Sequence, residues 1–103
     1  MTYIEKLQDP RWQRKRLMVF DRAGWACECC DCKERTLHVH HLVYSPGEPW
    51  DAPDKTLECL CEDCHGWRTR FDIRLGERCC VSTRQIKGIV AEHMSREMAE
   101  RLY

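Results

Sequence analysis

Thr56-Leu57-Glu58-Cys59-Leu60-Cys61-Glu62-Asp63-Cys64-His65 is the stretch on which the fold turns. Thr56 to Leu60 reads as a strand, and a helix is expected from Glu62 to about Asp72. At their junction stand Cys61 and Cys64, spaced as in a zinc knuckle. Upstream, Cys27-Glu28-Cys29-Cys30 supplies a second pair, with thirty residues between the two pairs, enough for a hairpin and a loop. Four thiolates from two such knuckles make the closed tetrahedral shell of a structural Zn2+ site. Cys29 and Cys32 form an overlapping pair of the same spacing, so the spacing alone leaves two registers for the first knuckle.

The rest of the chain is consistent with a metal staple. At 103 residues with 33% charged side chains, it is long enough for one domain, 1–103, with a thin core. Nine cysteines is the outlying count, and an odd number argues against a closed disulfide set. The opening Met1-Thr2-Tyr3-Ile4-Glu5-Lys6 carries no apolar export signal, and no stretch approaches a membrane span. A cytoplasmic, reducing setting is therefore expected, where thiolates bind metal instead of pairing. Net charge is zero, but it is unevenly spread: residues 1–22 carry +3, residues 23–66 carry −6 and residues 67–103 carry +3. An acidic centre between basic flanks suits cations in the middle and phosphate contacts at the ends, and ordinary solvated surface explains the flanks equally well.

Outward from the knuckles, Thr36-Leu37-His38-Val39-His40-His41 alternates, with Leu37 and Val39 on one face, and predicts a short strand. Residues 42–55 contain Pro46-Gly47, Pro49 and Pro53 and predict a loop. Asp9 as N-cap and Pro10 at the first helical position start the first helix, with Trp12, Arg16, Val19, Phe20 and Ala23 along its inner face and Gly24 at its end. Ser82-Thr83-Arg84-Gln85 has the form of a capping box and opens a last helix, in an extension over about 82–103. Its apolar stripe is Ile86, Ile89, Val90, His93, Met94, Met98 and Leu102, read as a face packed on the domain, with a homodimer seam or a protein-partner face as the alternative.

Four of the five histidines, His38, His40, His41 and His65, lie within or beside the cysteine frame. Here the chain resembles the HNH endonucleases, and most closely the small bacterial and phage members with a proline-tryptophan loop before the second knuckle. The resemblance runs through Asp9-Pro10-Arg11-Trp12, Arg16-Leu17, Gly24-Trp25-Ala26-Cys27-Glu28-Cys29-Cys30, Leu37-His38-Val39-His40-His41-Leu42, Glu48-Pro49-Trp50-Asp51-Ala52-Pro53-Asp54 and Leu57 to His65, covering about residues 9–69. Gly24, three positions before Cys27, favours the Cys27/Cys30 register. Cys29, Cys32, Cys59, Cys79 and Cys80 are then left as small buried hydrophobes or free thiols.

The resemblance implies an α+β fold, a zinc-stapled ββα-metal (HNH, His-Me finger) domain with an N-terminal and a C-terminal helix. By position, His40 and His65 would be ligands of a catalytic divalent cation, Mg2+ or another, and His41 the general base. DNA would be the substrate, with Arg11, Arg14, Lys15, Arg68 and Arg70 as candidate contacts. An imidazole titrating near neutrality can take a proton from water at physiological pH, which is why that residue type suits the role. Two positions depart from the family: Thr56 stands at its central Asn, and Thr69 at a frequent last His. Metal-dependent DNA cleavage is the leading expectation. A catalytically inert zinc module that binds DNA or a protein is the alternative, and a thiol redox or metal-storage role rests only on the surplus cysteines.

Overall fold

The structure is a computed structural model that describes residues 1–43, 47–76 and 79–93. Among these the chain forms four helices, α1 (Tyr3–Gln8), α2 (Pro10–Arg22), α3 (Glu62–Leu75) and α4 (Thr83–His93), and two strands, β1 (Leu37–His41) and β2 (Leu57–Cys61). Short 3-10 turns at Pro49–Asp51 and Asp54–Thr56 break up the connection between the strands. The strands pair antiparallel, with Leu37 opposite Cys61 and His41 opposite Leu57. This is a small α+β fold built on a two-stranded sheet. No helix among the described residues is long and apolar enough to cross a membrane.

Helix α2 starts as its sequence demands. The Arg11 N–H donates to Asp9 Oδ1 at 2.8 Å, and Pro10 occupies a position where a missing N–H is harmless. Trp12, Val19 and Phe20 are its buried face, and Gly24 leaves the helix with a left-handed φ of 69°. The short α1 is an element that the sequence reading lacks. It is capped by Thr2, whose Oγ1 accepts from Glu5 N–H at 3.1 Å, and it buries no side chain. Six residues without a buried face leave no periodicity to read.

The pleat sorts β1 into two faces. Leu37 and Val39 pack on the cluster formed by Val19, Phe20, Ala52, Leu57 and Cys59. His38 and His40 point the other way, toward His65 on α3. Strand β2 lies between α2 and α3 and is buried at all five positions. That double coverage explains its near-continuous apolar pattern, broken only by Glu58.

Glu58 is the centre of a buried polar network. Its Oε1 accepts from Thr83 N–H at 2.9 Å and its Oε2 from Thr83 Oγ1 at 2.8 Å, joining β2 to the start of α4. Arg68, fully buried on α3, donates to Thr83 Oγ1, Val81 O, Cys79 O and Asp72 Oδ1. Arg68 is thus corrected from a candidate DNA contact to an internal tie, since its guanidinium is enclosed and occupied.

Helix α4 opens on the expected box, with Gln85 N–H donating to Ser82 Oγ at 3.2 Å. Ile86 and Val90 pack on Trp67, with Phe71 and Cys79 at the edge. Ile89, placed in the same stripe by the sequence, is instead 55% exposed, because one side of so short a helix is all that α3 covers. Met94, Met98 and Leu102 lie outside the described residues, as does the His93 side chain. Ile86→Ala should therefore cost about 2–5 kcal/mol in chemical denaturation. Ile89→Ala should stay within about 0.5 kcal/mol of wild type. Equal losses at the two positions would mean that the exposed side of α4 is also covered in solution.

Candidate metal centres

Cys27, Cys30, Cys61 and Cys64 bring their Sγ atoms within 4.8 Å of one another. The first knuckle folds around Cys27, whose Sγ accepts from the N–H groups of Cys29 and Cys30, each at 3.4 Å. Asp31, in the left-handed region at φ 65°, closes the turn by donating its N–H to Cys27 O. The second knuckle is the start of α3. Cys61 is the N-cap, and its Sγ accepts from Cys64 N–H at 3.5 Å. Glu28 N–H to Cys59 O, at 2.8 Å, holds the first knuckle against β2.

The Cys30 and Cys61 sulfurs are 3.7 Å apart. A tetrahedral cation with metal–sulfur bonds of about 2.3 Å requires sulfur–sulfur edges of about 3.8 Å. The donor set therefore fits a metal ion such as zinc. Burial acts to raise the Cys61 thiol, but the Cys64 N–H and the thiols of Cys64, Cys30 and Cys27 outweigh it and bring the group down to about 7. Cys64 is driven upward by burial and by the charges of Cys29 and Cys27. Four thiolates so close together repel, and a shared divalent cation is what allows all four to ionise.

The surplus cysteines are not among the four whose sulfurs gather within 4.8 Å. Cys59 is fully buried, donates to Ala26 O at 3.4 Å, and is pushed by burial up to about 11, as suits a structural thiol. Cys29 and Cys32 pack beside the frame, and Cys79 borders the Trp67 cluster. Helix α4 also reaches the frame: Arg84 Nε donates to Cys29 O, and Lys87 Nζ lies 3.5 Å from Cys64 Sγ.

The histidines meet in a cleft of about 710 Å³ bounded by α1 and α2, by β1 and by α3. His38 and His65 stack with ring centroids 5.2 Å apart, and His40 meets His65 edge-on at 5.4 Å. His41, next along the strand, faces α2 and stacks on Trp12 at 5.3 Å and 17°. His40 and His41 thus lie on opposite faces of the sheet, yet both line the cleft. Among the described residues β1 pairs on one side only, so successive side chains can open onto a groove along its other edge. Burial, then the nearby His38, lowers the His65 imidazole and favours its neutral form, the form with a lone pair to offer a cation.

Three residues of this cleft have no role assigned from sequence. His38 shares its strand face with His40, a spacing of two that alternation makes legible. Asp72 lies seven residues after His65 on α3, two helical turns along, and puts Oδ2 3.7 Å from His40 Nε2. Arg16 brings a cation into the cleft, its NH1 held by Gln13 Oε1 at 2.6 Å. The histidines and Asp72 are less tightly drawn than the cysteines, which among the described residues are the group with three or more ligand atoms all within 4.8 Å.

Thr56 and Thr69, the two departures from the pattern that the sequence resembles, have defined places. Thr56 accepts from Leu42 N–H at 2.8 Å through its carbonyl and donates Oγ1 to Pro53 O at 2.7 Å. It therefore pins the residue after His41 through the backbone, which any side chain at 56 can do. Thr69 Oγ1 turns back to His65 O at 2.9 Å, a bond along the helix. Of the other basic candidates, Arg11 is exposed, paired with Asp9 and set over the Trp50 ring at 4.1 Å; Lys15 pairs with Asp54; Arg14 and Arg70 are exposed. No family model, curated protein or solved structure matches this chain.

Proposed function

We propose that the chain is a metal-dependent endonuclease of the HNH type, hydrolysing DNA phosphodiester bonds, with β1, β2 and α3 as its ββα-metal unit and zinc in the four-cysteine cluster. The observation that carries this reading is the meeting of His40, His41 and His65, drawn from strand and helix, in one cleft. A thiolate frame of this kind belongs in a reducing, intracellular setting.

His40 and His65 approach from two sides and would hold the catalytic cation. That cation, Mg2+ or a transition metal, would polarise the phosphate and stabilise the leaving 3′ oxygen. His41 takes the proton from the attacking water. Its ring is held against Trp12, and the strand end that carries it is pinned by the Leu42–Thr56 hydrogen bond. Arg16 meets the phosphate inside the cleft, with Arg11, Arg14, Lys15 and Arg70 outside it, and these contacts position the duplex without reading sequence.

The looser packing of the histidine ligands favours a second reading, a zinc-stapled module that binds DNA or a protein without cutting. Plasmid cleavage separates the two. Wild type should nick or linearise supercoiled DNA with at least one of Mg2+, Mn2+ and Ni2+, and not in chelator. His65→Ala should cut more slowly and be partly rescued by raising the metal concentration, because a ligand sets affinity for the cation. A wild type that cuts no DNA with any of the three leaves the binding module as the function.

A further inference from the structure

The geometry points to Asp72 as a ligand of the divalent cation in the histidine cleft, gripping it through Oδ2 opposite His40 Nε2 and biasing the site toward hard cations. This rests on reading the cleft as a cation site, and it adds a residue that neither the knuckle spacing nor the histidine pattern includes. The Asp72 side chain is only 11% exposed, and its Oδ2 is buried with no hydrogen-bond partner among the described residues. Oδ1 accepts from Arg68 Nε at 3.0 Å. Arg68 is itself locked by Cys79 O, Val81 O and Thr83 Oγ1, so the carboxylate is held with Oδ2 turned toward His40.

The spacing suits a shared ion. A cation about 2.1 Å from each of two donors sets them about 3.0 Å apart at a right angle and about 4.2 Å apart in line. The observed 3.7 Å falls between these limits. On the helix, Thr69 turns its hydroxyl to the backbone, and Asp72 comes three residues later with a carboxylate in the same cleft. An oxygen donor beside imidazoles shifts preference toward Mg2+ and Mn2+, whereas imidazoles alone suit Ni2+.

The test is cation binding by the zinc-loaded protein, read as the electron paramagnetic resonance signal of free Mn2+ and, for Ni2+, by calorimetry. Asp72→Asn keeps the size of the side chain and an oxygen for Arg68 but removes the charge. It should weaken Mn2+ binding by about tenfold or more, and Ni2+ binding by less, and it should also lower the melting temperature, because it takes the carboxylate charge from the buried Arg68. His41→Ala should leave Mn2+ affinity unchanged. If Asp72→Asn does not fold, the carboxyl-carbon NMR resonance of Asp72 in wild type replaces it: a shift on adding Mg2+ supports the assignment, and an unmoved resonance overturns it. A lower melting temperature with unchanged Mn2+ affinity also overturns it, because Asp72 would then be a plain ion-pair partner of His40 and Arg68. So does a wild type that takes up no Mn2+. Mn2+ binding that depends on Asp72, in a protein that cuts nothing, sustains this assignment while removing the nuclease. Cleavage with Mn2+ affinity unaffected by Asp72→Asn does the reverse.

Discussion

Replacing His41, the proposed general base, with alanine is expected to lower plasmid cleavage by a factor of about 10² or more, the usual loss when such a group is removed. DNA affinity should be retained, because the basic residues around the cleft are untouched. His40, His65 and all four knuckle cysteines also remain, so uptake of both metals should be unchanged. The substitution does remove a ring that is only 9% exposed and stacked on Trp12. Such a pair contributes about 0.5–1.5 kcal/mol beyond its buried area, so alanine will also lower stability somewhat. His41→Phe separates the two effects. It keeps an aromatic ring against Trp12 and has no nitrogen to accept a proton, so it should restore the melting temperature and leave cleavage as low as in the alanine variant. The measurements are single-turnover nicking rates and gel-shift affinities at one saturating metal concentration. Undiminished cleavage by His41→Phe would remove His41 from the chemistry.

Cys61→Ser should have the largest effect on the fold. Cys61 is fully buried, caps α3, and its Sγ sits 3.7 Å from Cys30 Sγ, so one substitution breaks both the four-thiol cluster proposed to hold zinc and the joint between β2 and α3. Structural zinc contributes about 10–16 kcal/mol in small domains. A whole domain is stable by only about 5–15 kcal/mol, so losing the ion is enough to unfold it. Elemental analysis should find about one tightly held zinc per chain in wild type and far less in Cys61→Ser, with circular dichroism reporting loss of helix or aggregation. Helix α4 should be lost too, since Arg84 and Lys87 rest on the frame. Cys29→Ser is the control. Its thiol stands outside the four-sulfur cluster, and the change should be mild. Full stability in strong chelator, with no zinc in the purified protein, would overturn the staple.

Most of the frame is legible in the chain because it is written in local rules. Knuckle spacing, the Asp9-Pro10 start, the Ser82 box and the alternation at Leu37 and Val39 each depend on residues a few positions apart. The Cys27/Cys30 register follows from the resemblance and matches the cluster that forms. The same rules mislead where burial is decided by a distant partner. Arg68 and Arg70 look alike in sequence, two positions apart in one basic run. Only Arg68 is swallowed, because Cys79, Val81 and Thr83 return over that face of α3.

The sequence, read through its spacings and its resemblance, therefore anticipated the small α+β class and the four cysteines of the cluster. Tertiary structure alone decided that His40 and His41 part to opposite faces of β1 and still line one cleft, since that depends on which edge of the strand is covered. It alone brought Asp72 to His40, and Glu58 to Thr83. The physical reason is that a buried polar group must find its partner in three dimensions. For Glu58 that partner is twenty-five residues away, a distance across which no periodicity carries a signal.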